Sequence, residues 1–203
     1  MPSERAPPAH LEMAGPQQAT GGEIVLRCGQ PSRNRAKGWT IVPVTVRPAS
    51  DGDVQEICEI LAEGDRDHAS ALPTVFMTAC DPAWREPAVR QWIGDPTSAV
   101  LVADEGGRLA GVVVAVLRHA PREVPVLAPR RYVWIDSLAV CSSRRRQGVG
   151  RALMEAVHRW ALDQGVDEIE LNVWEFNRAA IALYTSLGYA TTSRRLHLRL
   201  PSA

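Results

Sequence analysis

Apolar residues recur along this chain with periods of two and of about 3.6, and the alternation of those periods divides it into strands and helices. In WTIVPVTVRPAS, residues 39–50, Val42, Val44 and Val46 alternate with Ile41, Thr45 and Arg47, as in a strand with one face inward. Ser50 with Asp53 three residues later is close to a capping box, and Val54, Ile57, Cys58 and Leu61 then follow at helical spacing up to Gly64. A second, shorter helix is expected in EPAVRQWIG, and the mixed connection DRDHASALPTVFMTACDPAW before it has room for further helical turns. SAVLVADEGGRLAGVVVAVL reads as a hairpin, because two β-branched runs flank Glu105-Gly106-Gly107, where glycine permits positive φ. The stretch from Gly111 to Leu117 is apolar on both faces and belongs to a central strand.

The prolines of RHAPREVPVLAPRR exclude a helix or central strand there, and YVWIDSLAV follows as another apolar strand. Val149, Leu153, Val157 and Trp160 mark the buried face of the longest helix, which Gly165 closes. DEIELNVW is then a strand and NRAAIALYTSLG a helix capped by Asn177 and ended by Gly188. SRRLHLRL is a last strand with Leu196, Leu198 and Leu200 on one face. A hairpin followed by a strand with no helix between them excludes a strictly alternating doubly wound fold. The expected class is α/β (α+β), with a mixed, mostly antiparallel central sheet and helices on both faces.

Composition narrows the function classes. A chain of 203 residues, 45% hydrophobic, is long enough to bury a core. Residues 1–38 mix Pro, Gly, Gln, Ser and Arg without either period and are expected to be a disordered N-terminal extension, leaving 39–203 as one domain. The 23 basic and 23 acidic residues balance, so no field of one sign draws the whole surface to nucleic acid or to an anionic membrane. Cys28, Cys58, Cys80 and Cys141 are far apart, with no CxxC pair and no histidines at ligand spacing, so no metal site is expected and the thiols suit a cytoplasmic setting. Neither a secretory segment nor a membrane span is expected.

The chemistry concentrates in SSRRRQGVGRALMEAVHRW, residues 142–160. A strand ending at Val140, a charged turn and a helix starting near Gly148 bring free backbone N–H groups together at the positive end of a helix dipole. Gly148 and Gly150 remove side chains where an anion must approach the main chain, and arginines add charge and bidentate hydrogen bonds. A pyrophosphate fits such a cradle. The GxxxxGK[ST] motif of nucleoside triphosphate sites is absent.

RRQGVG, preceded by IDSLAV and followed after one strand by NRAAIALYTSLGY, resembles the GCN5-related N-acetyltransferase (GNAT) family, whose Q/R-x-x-G-x-G/A signature binds the pyrophosphate of acetyl-coenzyme A. The order of elements agrees from about Thr45 to Leu200. The resemblance implies the GNAT acyl-CoA N-acyltransferase fold, with acetyl-CoA as co-substrate. It places the pyrophosphate on amides from Arg145 to Arg151, so that Arg145, Arg146, Gln147, Gly148, Val149, Gly150 and Arg151 bind the cofactor. Pantetheine pairs like an extra strand with Leu138, Ala139 and Val140, while Asn177 helps hold the coenzyme.

The implied activity is direct transfer of the acetyl group to a primary amine in a ternary complex. Backbone near Leu138 or Ala139 would polarise the thioester carbonyl and Tyr184 would protonate the departing sulfur, although Ala180, Ile181, Tyr184 and Leu187 also form a helical core stripe. Asp136, expected on one face with Trp134 and Leu138, is the candidate base, and burial would strengthen it. Glu170, Glu175 and ordered water are the alternatives. The acceptor, a small-molecule amine or a protein or peptide amine, would meet residues 65–92 and the loop 118–131. Phe76 and Trp84 are candidate lining there, and Arg118, His119, Arg122, Arg130 and Arg131 hint at an anionic partner. The family also leaves open a homodimer through the C-terminal strand. The competing class is a non-catalytic acetyl-CoA-binding sensor.

Overall fold

The structure is a computed structural model that describes residues 44–77, 81–121 and 126–200. The expected extension 1–38, Val42, Cys28, Cys80 and Arg122 lie outside the described residues.

Five strands form one sheet in the order β1 (Thr45–Pro48), β2 (Ser98–Asp104), β3 (Leu109–His119), β4 (Arg131–Val140) and β5 (Ile169–Leu171). The first three pairings are antiparallel and the last, β4 with β5, is parallel. Helices α1 (Val54–Ala71) and α2 (Glu86–Gly94) are followed later by α3 (Val149–Asp163) and α4 (Arg178–Ser186). Each face of the sheet carries its own core. On one side Val54, Ile57, Cys58 and Leu61 of α1 and Val89 of α2 pack on Val100, Val102, Val112 and Val114. On the other, Leu153, Met154 and Val157 of α3 and Tyr184 of α4 pack on Val113, Ala115, Val133 and Ile135. The apolar run in β3 is therefore buried from both sides, as its lack of alternation requires.

Local signals explain most element ends. The amide and hydroxyl of Ser50 both donate to Asp53, each at 2.7 Å, and Arg47 clamps the same carboxylate at 2.8 and 2.9 Å. The β2–β3 hairpin turns through Gly106 and Gly107, at φ 67° and 94°, and Asp104 accepts the Gly107 amide at 2.7 Å. Asn177 caps α4 by accepting the Ala180 amide at 3.1 Å, and Gly188 lies beyond its end at φ 92°.

Three expectations are corrected. Gly64 does not end α1, which runs on to Ala71. Ion pairs of Asp65 with Arg85 and Asp67 with Arg145 anchor the added turns, outweighing a weak helix former in open space. The strand expected over 167–174 shortens to Ile169–Leu171, because the ladder with β4 stops at Leu171 opposite Ile135. Residues 193–200 form no strand: none of the described residues pairs with them, and Leu196, Leu198 and Leu200 are exposed. Alternation alone cannot supply the hydrogen-bonding neighbour a strand needs.

Candidate active site

At its C-terminal end β4 leads through a short 3-10 turn, Ser142–Arg144, into α3. Arg146 sits at φ 63° and Gly148, the residue before α3, at φ 86°. Glycine takes that left-handed conformation freely, whereas an arginine in it is strained, so this turn has a locally specified shape. The first intrahelical bond runs from the Ala152 amide to the Gly148 carbonyl at 3.0 Å. The amides of Val149, Gly150 and Arg151 thus precede any helical acceptor and form the positive end of a 15-residue helix.

The arginines of the turn are not equivalent. Arg144 is held by Glu105 at 2.6 Å, and Arg145 by Asp67 at 2.8 Å and the Val140 carbonyl at 3.2 Å. Arg151 reaches Ser186 at 2.7 Å across to α4. Arg146 and Gln147 are exposed, and Gln147 donates to the Ser143 carbonyl. The cluster therefore divides into arginines that fix the turn and one, Arg146, that has no acidic partner among the described residues. Gly150 serves packing as well: a Cβ there would meet Leu183 of α4 at 3.2 Å.

The free edge beside this turn comes from strand divergence. β5 pairs with β4 only from Val133 to Ile135, so Leu138, Ala139 and Val140 lie past the last β5 partner. On that side β4 has no strand partner there among the described residues, and the Val140 carbonyl accepts from Arg145. The β3–β4 ladder shifts register between Val114 opposite Ser137 and Ala115 opposite Ile135, which leaves Asp136 as an extra residue in a bulge. The bulge changes the phase of the strand: Leu138 and Val140 join Val133 and Ile135 on the α3 side. Asp136 consequently does not share a regular face with Trp134 and Leu138, and it is exposed rather than buried. The Ser137 hydroxyl donates to it at 3.1 Å.

Of the alternative bases, Glu170 is paired with Arg130 at 2.7 Å and Glu175 with Arg178 at 3.0 Å. Asp136 has no cationic partner among the described residues. Tyr184 is buried in the α3-side core, its ring edge-on to Tyr189 at 5.7 Å, and burial pushes its phenol up to about 12. It therefore keeps its proton across the physiological range. Asn177 spends its side-chain oxygen on the helix cap.

Around the expected acceptor region the structure separates residues that the sequence suggested together. Trp84 is more than half exposed, with the Arg85 guanidinium 4.5 Å from its ring centroid. Arg118 stacks over Trp134 and Arg130 over Tyr132; of the described arginines in that loop Arg130 has acidic partners, Glu168 and Glu170, whereas Arg118 and Arg131 have none among the described residues. Phe76 instead joins a cluster that sequence reasoning missed. His68 lies 5.2 Å from Phe76 and 5.4 Å from Phe176, and Phe76 lies 5.3 Å from Trp174. These rings come from segments about a hundred residues apart, so no local pattern reports them. Among the described residues no group of His, Cys, Asp and Glu could hold a metal, and no helix is long and apolar enough to cross a membrane.

Comparison with known proteins adds three findings. Residues 65–189 match the acetyltransferase (GNAT) family. The chain is 31% identical to N-acetyltransferase 8 of Rattus norvegicus over 106 residues, 51% of this chain and 44% of that protein, and 31% identical to the Homo sapiens N-acetyltransferase 8 over 105 residues, 52% and 44%. It thus matches less than half the length of these curated relatives. A mutant of the BH1408 protein from Bacillus halodurans superposes with a TM-score of 0.72 at 29% identity, covering 77% of this chain and 99% of that one. AAC(6')-Iy in complex with the bisubstrate analog CoA-S-monomethyl-acetylneamine, at 19% identity and TM-score 0.59 over 78% and 99%, shares the fold.

Proposed function

The chain belongs to the acetyltransferase (GNAT) family, and from that premise we propose that it transfers the acetyl group of acetyl-CoA directly to a primary amine. The observation that carries this reading is the junction of β4 and α3. There, unsatisfied helix amides, a left-handed Gly148 and the unpaired edge of β4 meet in one place. The residues fit the coenzyme: amides of Val149, Gly150 and Arg151 suit a pyrophosphate, Arg146 adds charge, and Leu138 to Val140 offer main chain to a pantetheine arm. Asn177, bound into its helix cap, contributes to holding the coenzyme through position rather than charge.

In the proposed chemistry Asp136 accepts the proton the incoming ammonium must lose. A backbone amide near Leu138 or Ala139 stabilises the charge that grows on the carbonyl oxygen. The Tyr184 hydroxyl donates its proton to the departing sulfur as the thioester bond breaks and the amine nitrogen gains the acyl bond, and the second proton shed by that nitrogen restores the phenol. A phenol pushed up to about 12 is protonated when that donation is needed. Leu196, Leu198 and Leu200, exposed and alternating, support a homodimer through residues 193–200, and a monomeric mass by sedimentation removes that part of the proposal.

Titration of acetyl-CoA into the purified protein by calorimetry tests the reading. Micromolar binding is expected, and Gly148→Asp, which sets a carboxylate against phosphate and a side chain into a left-handed site, should weaken it by about a thousandfold. Absence of binding overturns the assignment. Binding without acetylation of any amine favours a sensor.

A further inference from the structure

We propose that the acceptor is a small monoamine carrying an aromatic group, an arylalkylamine, held by the ring cluster of His68, Phe76, Trp174 and Phe176. This rests on the acetyltransferase reading above and specifies its second substrate.

The cluster's place in the fold is the first support. β4 and β5 part after Ile135 and Leu171, and Trp174 and Phe176 are the third and fifth residues along the departing chain. His68 and Phe76 come from the last turns of α1 and the connection after it. The α1 helix is tied to the same end of β4, with Glu63 accepting the Ser142 amide at 2.8 Å and Asp67 pairing with Arg145 at 2.8 Å. The rings therefore join the α1 side to the segment that leaves β5, beyond the point where β4 and β5 part.

Their exposure is the second. Trp174 is 41% and Phe176 36% exposed, although both rings already contact partners, and Val75 and Val173 beside them are also exposed. An apolar wall of partly exposed rings gains from burying an apolar or aromatic ligand group. His68 is oriented within it, Nδ1 lying 2.7 Å from the Gly64 carbonyl.

Charge supplies the third support and decides between classes of amine. A polyamine or aminoglycoside requires several free carboxylates around the site. Here Asp65 is bound by Arg85, Asp67 by Arg145 and Glu175 by Arg178. Among the described residues Glu63 is taken up by the Ser142 amide, and Asp136, in the β4 bulge, has only the Ser137 hydroxyl as a partner, which suits a single ammonium. One charge and an apolar wall match one amine on an aromatic carrier.

The experiment uses the full chain with saturating acetyl-CoA and measures coenzyme A release with phenethylamine, tryptamine, spermidine and kanamycin. Phenethylamine and tryptamine should exceed the two polycations in kcat/KM by about a hundredfold. Trp174→Ala should raise KM for phenethylamine by about tenfold with kcat and acetyl-CoA affinity unchanged, and Trp174→Phe should restore most of the loss. Should Trp174→Ala fail to fold, as judged by acetyl-CoA affinity, Phe176→Ala carries the same expectation from the other open ring. Equal or better use of spermidine or kanamycin overturns the proposal. So does acetyl-CoA binding with no turnover of either arylalkylamine, or an unchanged KM in the folded variants. No acetyl-CoA binding overturns the family activity itself and this acceptor with it.

Discussion

At the end of β4 the surface that would face the coenzyme is main chain. It consists of the amides of Val149 to Arg151, a glycine at φ 86° and a strand edge left bare by β5, with two of the neighbouring arginines spent on Glu105 and Asp67. On the α1 side of the point where β4 and β5 part, the surface is side chain: four rings from α1, the segment after it and the segment after β5, near carboxylates already paired to arginine. Backbone placed by helix geometry can recognise a phosphate whatever the side chains around it. Rings have no such independence. Their arrangement changes with each substitution, which suits the end of a site that must select one substrate.

The contrast is open to attack at four points beyond the ring cluster, in falling order of expected effect. Gly148→Asp, described above, strikes the backbone end and should cost the most. Tyr184→Phe removes only the phenol proton from a residue that is otherwise core. A fall of about a hundredfold in kcat with acetyl-CoA affinity unchanged is expected, and undiminished turnover would return Tyr184 to a packing role alone. Because burial raises that phenol to about 12, wild-type turnover should show no alkaline loss from it below that pH.

Gly111→Ala sharpens the comparison from inside the sheet. A Cβ there would lie 2.8 Å from the Ala139 carbonyl and 3.2 Å from Leu153 and Val149, wedging α3 off β4, the strand proposed to bind the coenzyme. Thermal unfolding should report about 2 kcal/mol of lost stability, with weaker acetyl-CoA binding as its companion. Asp53→Asn lies remote from both ends and should be smallest, about 1.5 kcal/mol at neutral pH, with acetyl-CoA affinity intact. Hydrogen bonds from Arg47 hold the Asp53 carboxyl well below the usual range. Its contribution is complete above the unfolded value of about 4 and is lost as the pH falls toward the folded one, so denaturation curves of wild type and variant should converge in acid.

Much of the fold could be read locally because its signals are local. The Ser50–Asp53 start of α1, the Gly106-Gly107 hairpin, the Asn177 cap and the two-sided apolar run of β3 each report a short-range preference that the tertiary structure then shares. The errors occur where a neighbour decides. Gly64 would end a helix standing alone, but Asp65 and Asp67 find arginines 20 and 78 residues away. SRRLHLRL has the alternation of a strand and, among the described residues, no strand beside it.

The cofactor end shows the same division. Residues 145–151 carry a spacing that points to a phosphate cradle without reference to the rest of the chain, because glycine conformation and helix-end amides belong to consecutive residues. Sequence therefore determined the order of elements as far as α4 and the two-faced sheet, and it points to a place for an anion. Tertiary structure alone decided which arginines remain free, that a bulge turns Asp136 out of the regular face of β4, and that His68, Phe76, Trp174 and Phe176 meet. Each of those outcomes depends on pairing or packing between distant segments, and distance along the chain is what a local pattern cannot encode.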